Sequence, residues 1–272
     1  MTDPVRVRAS SLADLLDCPA RWKARHLTGA GEKWTSGPAA LGTAIHAGTA
    51  AYDQATLEGG PISVDDAVGV SLDALRHPEL EVRYDETLSK PEAINLAASL
   101  TYRYIDVIVP QVVYEAVELK CDPMTLSFNN GVRIELTGSV DRVRAVGDKR
   151  GVSDLKTGRN IVKDGEVRID KHVAQLAIYE LLELMAKDTA GIDATLPAQV
   201  IALPTNADAQ PATAEVDRPS RILYGDATRP GLLEVVANMI KTDSFTGNPR
   251  SVLCSAKFCP AFKSCWWRGN FS

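Results

Sequence analysis

Residues 151–159 read GVSDLKTGR. The run opens with small and β-branched residues that suit a buried strand, and it stops at Thr157-Gly158. Side chains alternate faces along a strand, so Asp154 and Lys156 project together while Leu155 points the other way. An acid and an ammonium then share one site at a strand end. A charge buried there must be paired or bound to a metal.

A second strand runs just upstream. Residues 132–146, VRIELTGSVDRVRAV, read as one continuous strand that carries Asp141 beside Val140 and Val143. The turn Asn129-Asn130-Gly131 predicts a hairpin joining it to MTLSF at 124–128, and VVYEAVELKC at 112–121 precedes both. Two carboxylates and a lysine on neighbouring strands suit a hard divalent cation. The lysine is then placed to position a water or to offset charge on a phosphate.

Helices flank this meander. Ser10-Ser11 followed by Asp14 has the form of an S-x-x-D capping box, so the N-terminus reads as helical, and Pro19 suits the first turn of a second helix through Arg21, Trp22 and Arg25. Residues 41–57 place Leu41, Ile45, Ala51, Tyr52 and Ala55 at helical spacings before Gly59-Gly60. Helical patterns at 64–77 and 91–109 follow, the second opening at Pro91 and ending before Pro110. Downstream, residues 170–187 carry Val173, Leu176, Ala177 and Leu181 on one stripe. QVIALP at 199–204 is a short apolar strand, and TRPGLLEVVANMIK at 228–241 holds the last helix. The order predicts an α/β fold, with a mixed central sheet flanked by helices. It divides one domain over residues 1–272 into a mainly helical part (1–110), a core (111–205) and a C-terminal helix with a cysteine-rich tail (206–272).

Composition excludes several classes. With 272 residues, 45% of them hydrophobic and 24% charged, the chain can bury a core and is not a disordered sequence. A net charge of −5 lacks the overall basic excess of many nucleic-acid binders, so such a role needs a local basic patch. No apolar run approaches the roughly 20 residues that span a bilayer, and MTDPVRVRAS lacks the apolar segment of a signal peptide, which predicts a cytoplasmic protein with no membrane partner. Five cysteines are too few and too unevenly placed for a disulfide scaffold, and clustered cysteines in a reducing compartment bind metal or do chemistry.

Three segments taken in order, GSVDRV at 138–143, SDLKTG at 153–158 and QLAIY at 175–179, resemble the PD-(D/E)xK nuclease superfamily and its RecB-type branch, which includes the Cas4-like exonucleases. GTAIH at 42–46 matches the Gly-x-x-x-His motif that precedes the core in that branch. The resemblance implies a restriction-endonuclease-like core. It implies that His46, Asp141 and Asp154 are ligands for Mg²⁺ or Mn²⁺, joined by the backbone carbonyl of Leu155, with Lys156 as the catalytic lysine beside the attacking water. Gln175 and Tyr179 match its Gln-x-x-x-Tyr motif, an i, i+4 pair on one helix face. A glutamate on the preceding strand is also expected, and strand parity alone does not choose between Glu115 and Glu118.

The cysteines carry a second resemblance. Cys18 lies in DCPARWK, and Cys254, Cys259 and Cys265 lie in CSAKFCPAFKSC. One N-terminal and three C-terminal cysteines resemble the iron–sulfur nucleases, in which they hold a [4Fe–4S] cluster; four thiolates also suffice for zinc. The family spaces its last three as C-x2-C-x5-C, whereas four residues, Ser255 to Phe258, fill the first gap here. Cys121 is left over as a small buried strand residue, His77 reads as a helix end and His172 as a surface residue.

The function so implied is metal-dependent hydrolysis of DNA, single-stranded or at free ends, in the manner of an exonuclease. No G-x-x-x-x-G-K-[ST] run occurs, so unwinding falls to a partner such as a helicase, recombinase or CRISPR adaptation protein. Each motif alone has a plainer reading: Asp-x-Lys as a solvated strand end, His46 as a helix-face histidine, Gln175 and Tyr179 as the polar edge of a helix. A non-catalytic DNA-end-binding or adaptor protein with the same fold and cluster is the competing hypothesis. An electron-transfer iron–sulfur protein is a third, and it leaves the ordered acids and lysine unexplained.

Overall fold

The computed structural model describes residues 3–30, 34–185, 195–206 and 209–269. The chain opens with β1 (Val5–Arg8), α1 (Ala9–Asp17) and α2 (Pro19–His26). β2 (Trp34–Ser36) then leads into α3 (Gly37–Leu57), α4 (Val64–Arg76), β3 (Glu81–Arg83) and α5 (Lys90–Arg103). The meander is β4 (Tyr114–Lys120), β5 (Met124–Ser127), β6 (Arg133–Thr137), β7 (Ser139–Val146) and β8 (Lys149–Gly158). Two short strands, β9 (Val162–Lys163) and β10 (Glu166–Val167), precede α6 (Val173–Met185), β11 (Ala198–Pro204), β12 (Ala212–Val216) and a C-terminal helix at Leu232–Thr242.

The central sheet has the order β12-β11-β8-β7-β4, with β8 and β11 parallel and the other neighbours antiparallel. Each face has its own core. Val143, Val152 and Val200 pack with Leu176, Ala177 and Leu181 of α6 and with Leu12 and Leu15 of α1. Leu155, Ile201 and Leu203 belong instead to a core with Leu41, Ala44 and Ile45 of α3 and Ala97 and Leu100 of α5. Cover on both faces explains why β11 is apolar at nearly every position rather than alternating. The α/β architecture with a mixed sheet between helices is therefore the one expected.

Three local expectations are corrected. Residues 5–8 form a strand parallel to β6, since the alternating Val-Arg-Val-Arg finds a partner in Ile134 to Thr137. The helix that follows starts at Ala9 with no side-chain cap: Ser11 Oγ donates to the Arg8 carbonyl at 2.9 Å, and Asp14 pairs with Arg21 and Arg25. The strand expected over 132–146 breaks at Gly138, and β6 belongs to a separate three-stranded sheet, β1-β6-β5. A Cβ at Gly138 would stand 3.0 Å from the Tyr179 ring, so the break is also where α6 presses closest. The helix expected to run to residue 109 ends at Arg103 and continues as a π-helical turn, Tyr104–Ile108, that buries Tyr104. The end of the helix expected over 170–187 lies outside the described residues.

Candidate active site

The β7–β8 ladder has its last pair at Arg142 and Ser153. Beyond it, Asp141 Oδ2 takes the place of a ladder carbonyl and accepts the Leu155 N–H at 2.8 Å. His46, in the middle of α3, donates from Nε2 to the Leu155 carbonyl at 2.8 Å, and its Nδ1 lies 3.5 Å from Asp141 Oδ2. Leu155 thus joins the two by its backbone while its side chain is buried in the α3 core.

The neighbouring strand settles the choice between the two glutamates. Val117 pairs with Arg142 and Leu119 with Val140, which puts Glu118 opposite Asp141. A register shift between Tyr114 and Ala116 and a positive φ of 49° at Glu118 re-aim this stretch, as bulges next to active sites do. Ligand atoms of His46, Glu118 and Asp141 all lie within 4.8 Å of one another. Glu115 points elsewhere and pairs with Arg150.

Asp154 is fully buried beside this trio, and Lys156 Nζ stands 2.8 and 2.6 Å from its two oxygens. Burial pushes the Asp154 carboxyl up to about 6, against the pull of Lys156 and with further help from the negative Asp141. On the α6 side, Gln175 Nε2 donates to Tyr179 OH at 2.8 Å. Burial, then the charges of Asp154 and Asp141, hold the Tyr179 hydroxyl far above its ordinary range, so it stays protonated. His172 is half-buried rather than a surface residue. Burial and the nearby Lys156 push its imidazole down to about 4, so it is neutral at neutral pH.

Sequence reasoning missed the network behind the site. Arg142 is 1% exposed, donates from Nε to Asp53 of α3, and reaches Thr49 at 3.2 Å and the Asp141 carbonyl at 2.7 Å. Its Nη1 is also 3.5 Å from Glu118. Tyr104 OH donates to Asp53 at 2.7 Å and contacts Tyr114 OH at 3.0 Å. The available signal was an arginine in the middle of an apolar strand, with an aspartate seven residues after His46 on the same helix face. Two more buried arginines are paired internally, Arg21 with Asp14 and Asp17 and Arg144 with Glu215.

A model of the PD-(D/E)XK nuclease superfamily matches residues 6–266. The chain belongs to that superfamily. Among solved structures, a Eubacterium rectale protein provisionally described as an exonuclease shares the fold, with a TM-score of 0.52 and 13% identity over 92% of this chain and 87% of that one. SSO0001 matches with a TM-score of 0.42 and 13% identity, covering 98% of this chain and 89% of that one. None of the curated proteins compared with the chain matches it. No described helix is long and apolar enough to cross a membrane.

Members of the superfamily use divalent metals, and the donors of this nuclease fit one. His46, Glu118 and Asp141 offer an imidazole nitrogen and carboxylate oxygens, a set that can hold a divalent cation. Asp154 Oδ2 is buried beside them, with the Lys156 ammonium 2.6 Å away. Asp154, expected as a ligand, stands beside this trio and pairs with Lys156.

Cys18, Cys254, Cys259 and Cys265 line one cavity between α2 and the C-terminal tail. The two chain ends are stitched there: Asn248 N–H approaches Cys18 Sγ at 3.4 Å, and Ser251 Oγ donates to Asp17 at 2.6 Å. Cys121 lies outside this group, half-buried just after β4, with its thiol pushed up to about 11 by burial.

Proposed function

We propose that the protein is a metal-dependent deoxyribonuclease of the RecB-type, Cas4-like kind, acting as an exonuclease on single-stranded DNA or DNA ends. The observation that carries this reading is the convergence of His46, Glu118 and Asp141 next to the Asp154–Lys156 pair where β7 and β8 part. His46, Glu118, Asp141 and Asp154 would hold a divalent ion, which would supply Lewis acidity toward a phosphate and acidify a water there. Lys156, 21% exposed and anchored on a buried carboxylate, orients that water or meets charge that develops on the phosphate. Tyr179 and Gln175 close the α6 side, where a hydroxyl held protonated can donate to a phosphate oxygen. The four cysteines on one cavity support a [4Fe–4S] cluster that joins the N-terminal helices to the tail. We place the enzyme in the cytoplasm, served by a separate helicase, recombinase or CRISPR adaptation protein.

The decisive test is cleavage of end-labelled single-stranded and duplex DNA in Mg²⁺, Mn²⁺ or EDTA, comparing wild type with Lys156→Ala. Metal-dependent cleavage that falls by at least a hundredfold in the variant supports the assignment. Protein that is anaerobically purified and cluster-loaded, binds DNA and cuts under no metal would instead be the adaptor.

A further inference from the structure

Beside the cysteine cavity lies a groove of about 640 Å³. Among the described residues its lining includes Arg25, Arg83 and Lys257 and no acidic residue, in a chain whose net charge is −5. Trp34 and Phe258 both line it, with ring centroids 6.2 Å apart and planes tilted by 39°. The Arg83 guanidinium sits 4.7 Å from the Trp34 centroid, and Lys257 Nζ sits 5.0 Å from that of Phe258. Among the described residues, Glu81 at 3.3 Å from Arg83, Asp85 on Lys257 and Asp14 at 2.9 Å from Arg25 contact these cations from outside the groove lining. The Arg83–Glu81 pair is exposed on both sides, so a phosphate can replace the glutamate at little cost.

Helix α3 links the groove to the site that holds His46. Ala39 lines it, and Ala39, Thr43 and His46 fall on one stripe of α3, of which Ala39 and Thr43 are exposed. Seven helical residues carry this stripe about 10 Å, at 1.5 Å each. Aromatic faces interleaved with cations, continuous with a phosphate-directed site, are what an unpaired strand requires. Bases stack on the rings, and the cations follow the backbone. A duplex stacks its bases on one another and exposes a free face only at its terminal pair, so it cannot run along two rings in a groove.

We propose that this groove is a single-strand platform: bases stack on Trp34 and Phe258, Arg83 and Lys257 contact the flanking phosphates, and the strand follows the α3 stripe to His46. The inference rests on the nuclease reading and deepens it by naming an unpaired strand as what the enzyme grips. Lys257 and Phe258 come from the four residues between Cys254 and Cys259, so this gap supplies half the platform and the fold of the tail sets its position.

The experiment measures fluorescence anisotropy of a labelled single-stranded oligodeoxynucleotide and of a blunt duplex. The protein is full-length and cluster-loaded and carries Lys156→Ala to prevent cleavage. Trp34→Ala and Phe258→Ala are expected to weaken single-strand binding roughly tenfold each. Trp34→Phe should stay within about threefold of the parent, and duplex binding should not change. Arg83→Ala should flatten the salt dependence of single-strand binding by about one charge. Unchanged circular dichroism and cluster absorbance show that each variant is folded. If both aromatic variants bind the single strand as the parent does, while the wild type cuts DNA, the platform is wrong and the nuclease stands. If the wild type neither binds nor cuts any DNA, both fall.

Discussion

The state of single carboxyls decides what the site can do at a given pH. Asp154 has its carboxyl pushed up to about 6 by burial, so without metal it is protonated below that pH and anionic above it. A metal ion needs the anion, and its affinity therefore rises as pH climbs through about 6. Mn²⁺ titrations between pH 5 and 8 should show close to tenfold weaker binding per unit below 6, and a flat affinity in that window would refute this role. Glu183 on α6 is a second such group: it is fully buried, neither oxygen has a hydrogen bond, and its carboxyl is pushed up to about 7. Its folded value lies above the ordinary one, so the stability it lends is present at low pH and lost as pH rises through about 7. Glu183→Gln should remove that step and stabilise the metal-free protein by about 1–3 kcal/mol at pH 8. Thermal midpoints of wild type and variant from pH 5 to 8 check this.

At the scale of elements, α3 and β7 must keep a fixed distance for His46 to meet Asp141. The Asp53–Arg142 pair, buried at 1% side-chain exposure on both partners, bolts the helix to the strand next to these residues. Removing one partner leaves a buried charge unpaired, which costs about 3–5 kcal/mol. Asp53→Leu should lose that much in urea denaturation. The double variant Asp53→Leu/Arg142→Met should recover most of the stability yet still bind Mn²⁺ more weakly than wild type, because nothing then restrains the Asp141 carbonyl or Glu118. Equal Mn²⁺ affinity in the double variant would reduce the pair to a packing element. Close approach of α3 to α4 has a simpler cause, since a Cβ on Gly48 would stand 2.6 Å from the Ala67 carbonyl.

For the whole molecule, the cysteine cavity closes the chain on itself. Cys18 and Cys265 bracket nearly the entire sequence, and a cross-link over so long a loop removes on the order of 4–5 kcal/mol of unfolded-state entropy in the chain-entropy model. Cys18→Ala should therefore abolish the absorbance near 400 nm expected of a [4Fe–4S] protein and lower the thermal midpoint. Cys121→Ala, outside the cavity, should do neither. A protein that binds one zinc and shows no such absorbance would overturn the cluster.

Much of this was legible in the chain because it is written in local patterns. Period-two alternation placed Asp154 with Lys156, Asn129-Asn130-Gly131 marked the β5–β6 hairpin, and the i, i+4 spacing joined Gln175 to Tyr179. The ordered acids, lysine and histidine indicated the superfamily. Tertiary structure alone decided the rest. The shift between Tyr114 and Ala116 selected Glu118, the break at Gly138 sent one apparent strand into two sheets, and burial joined Asp53 to Arg142. The physical reason is that residues about 70 to 90 positions apart meet only once helix and sheet are packed, and no local spacing records which charges that packing leaves out of water.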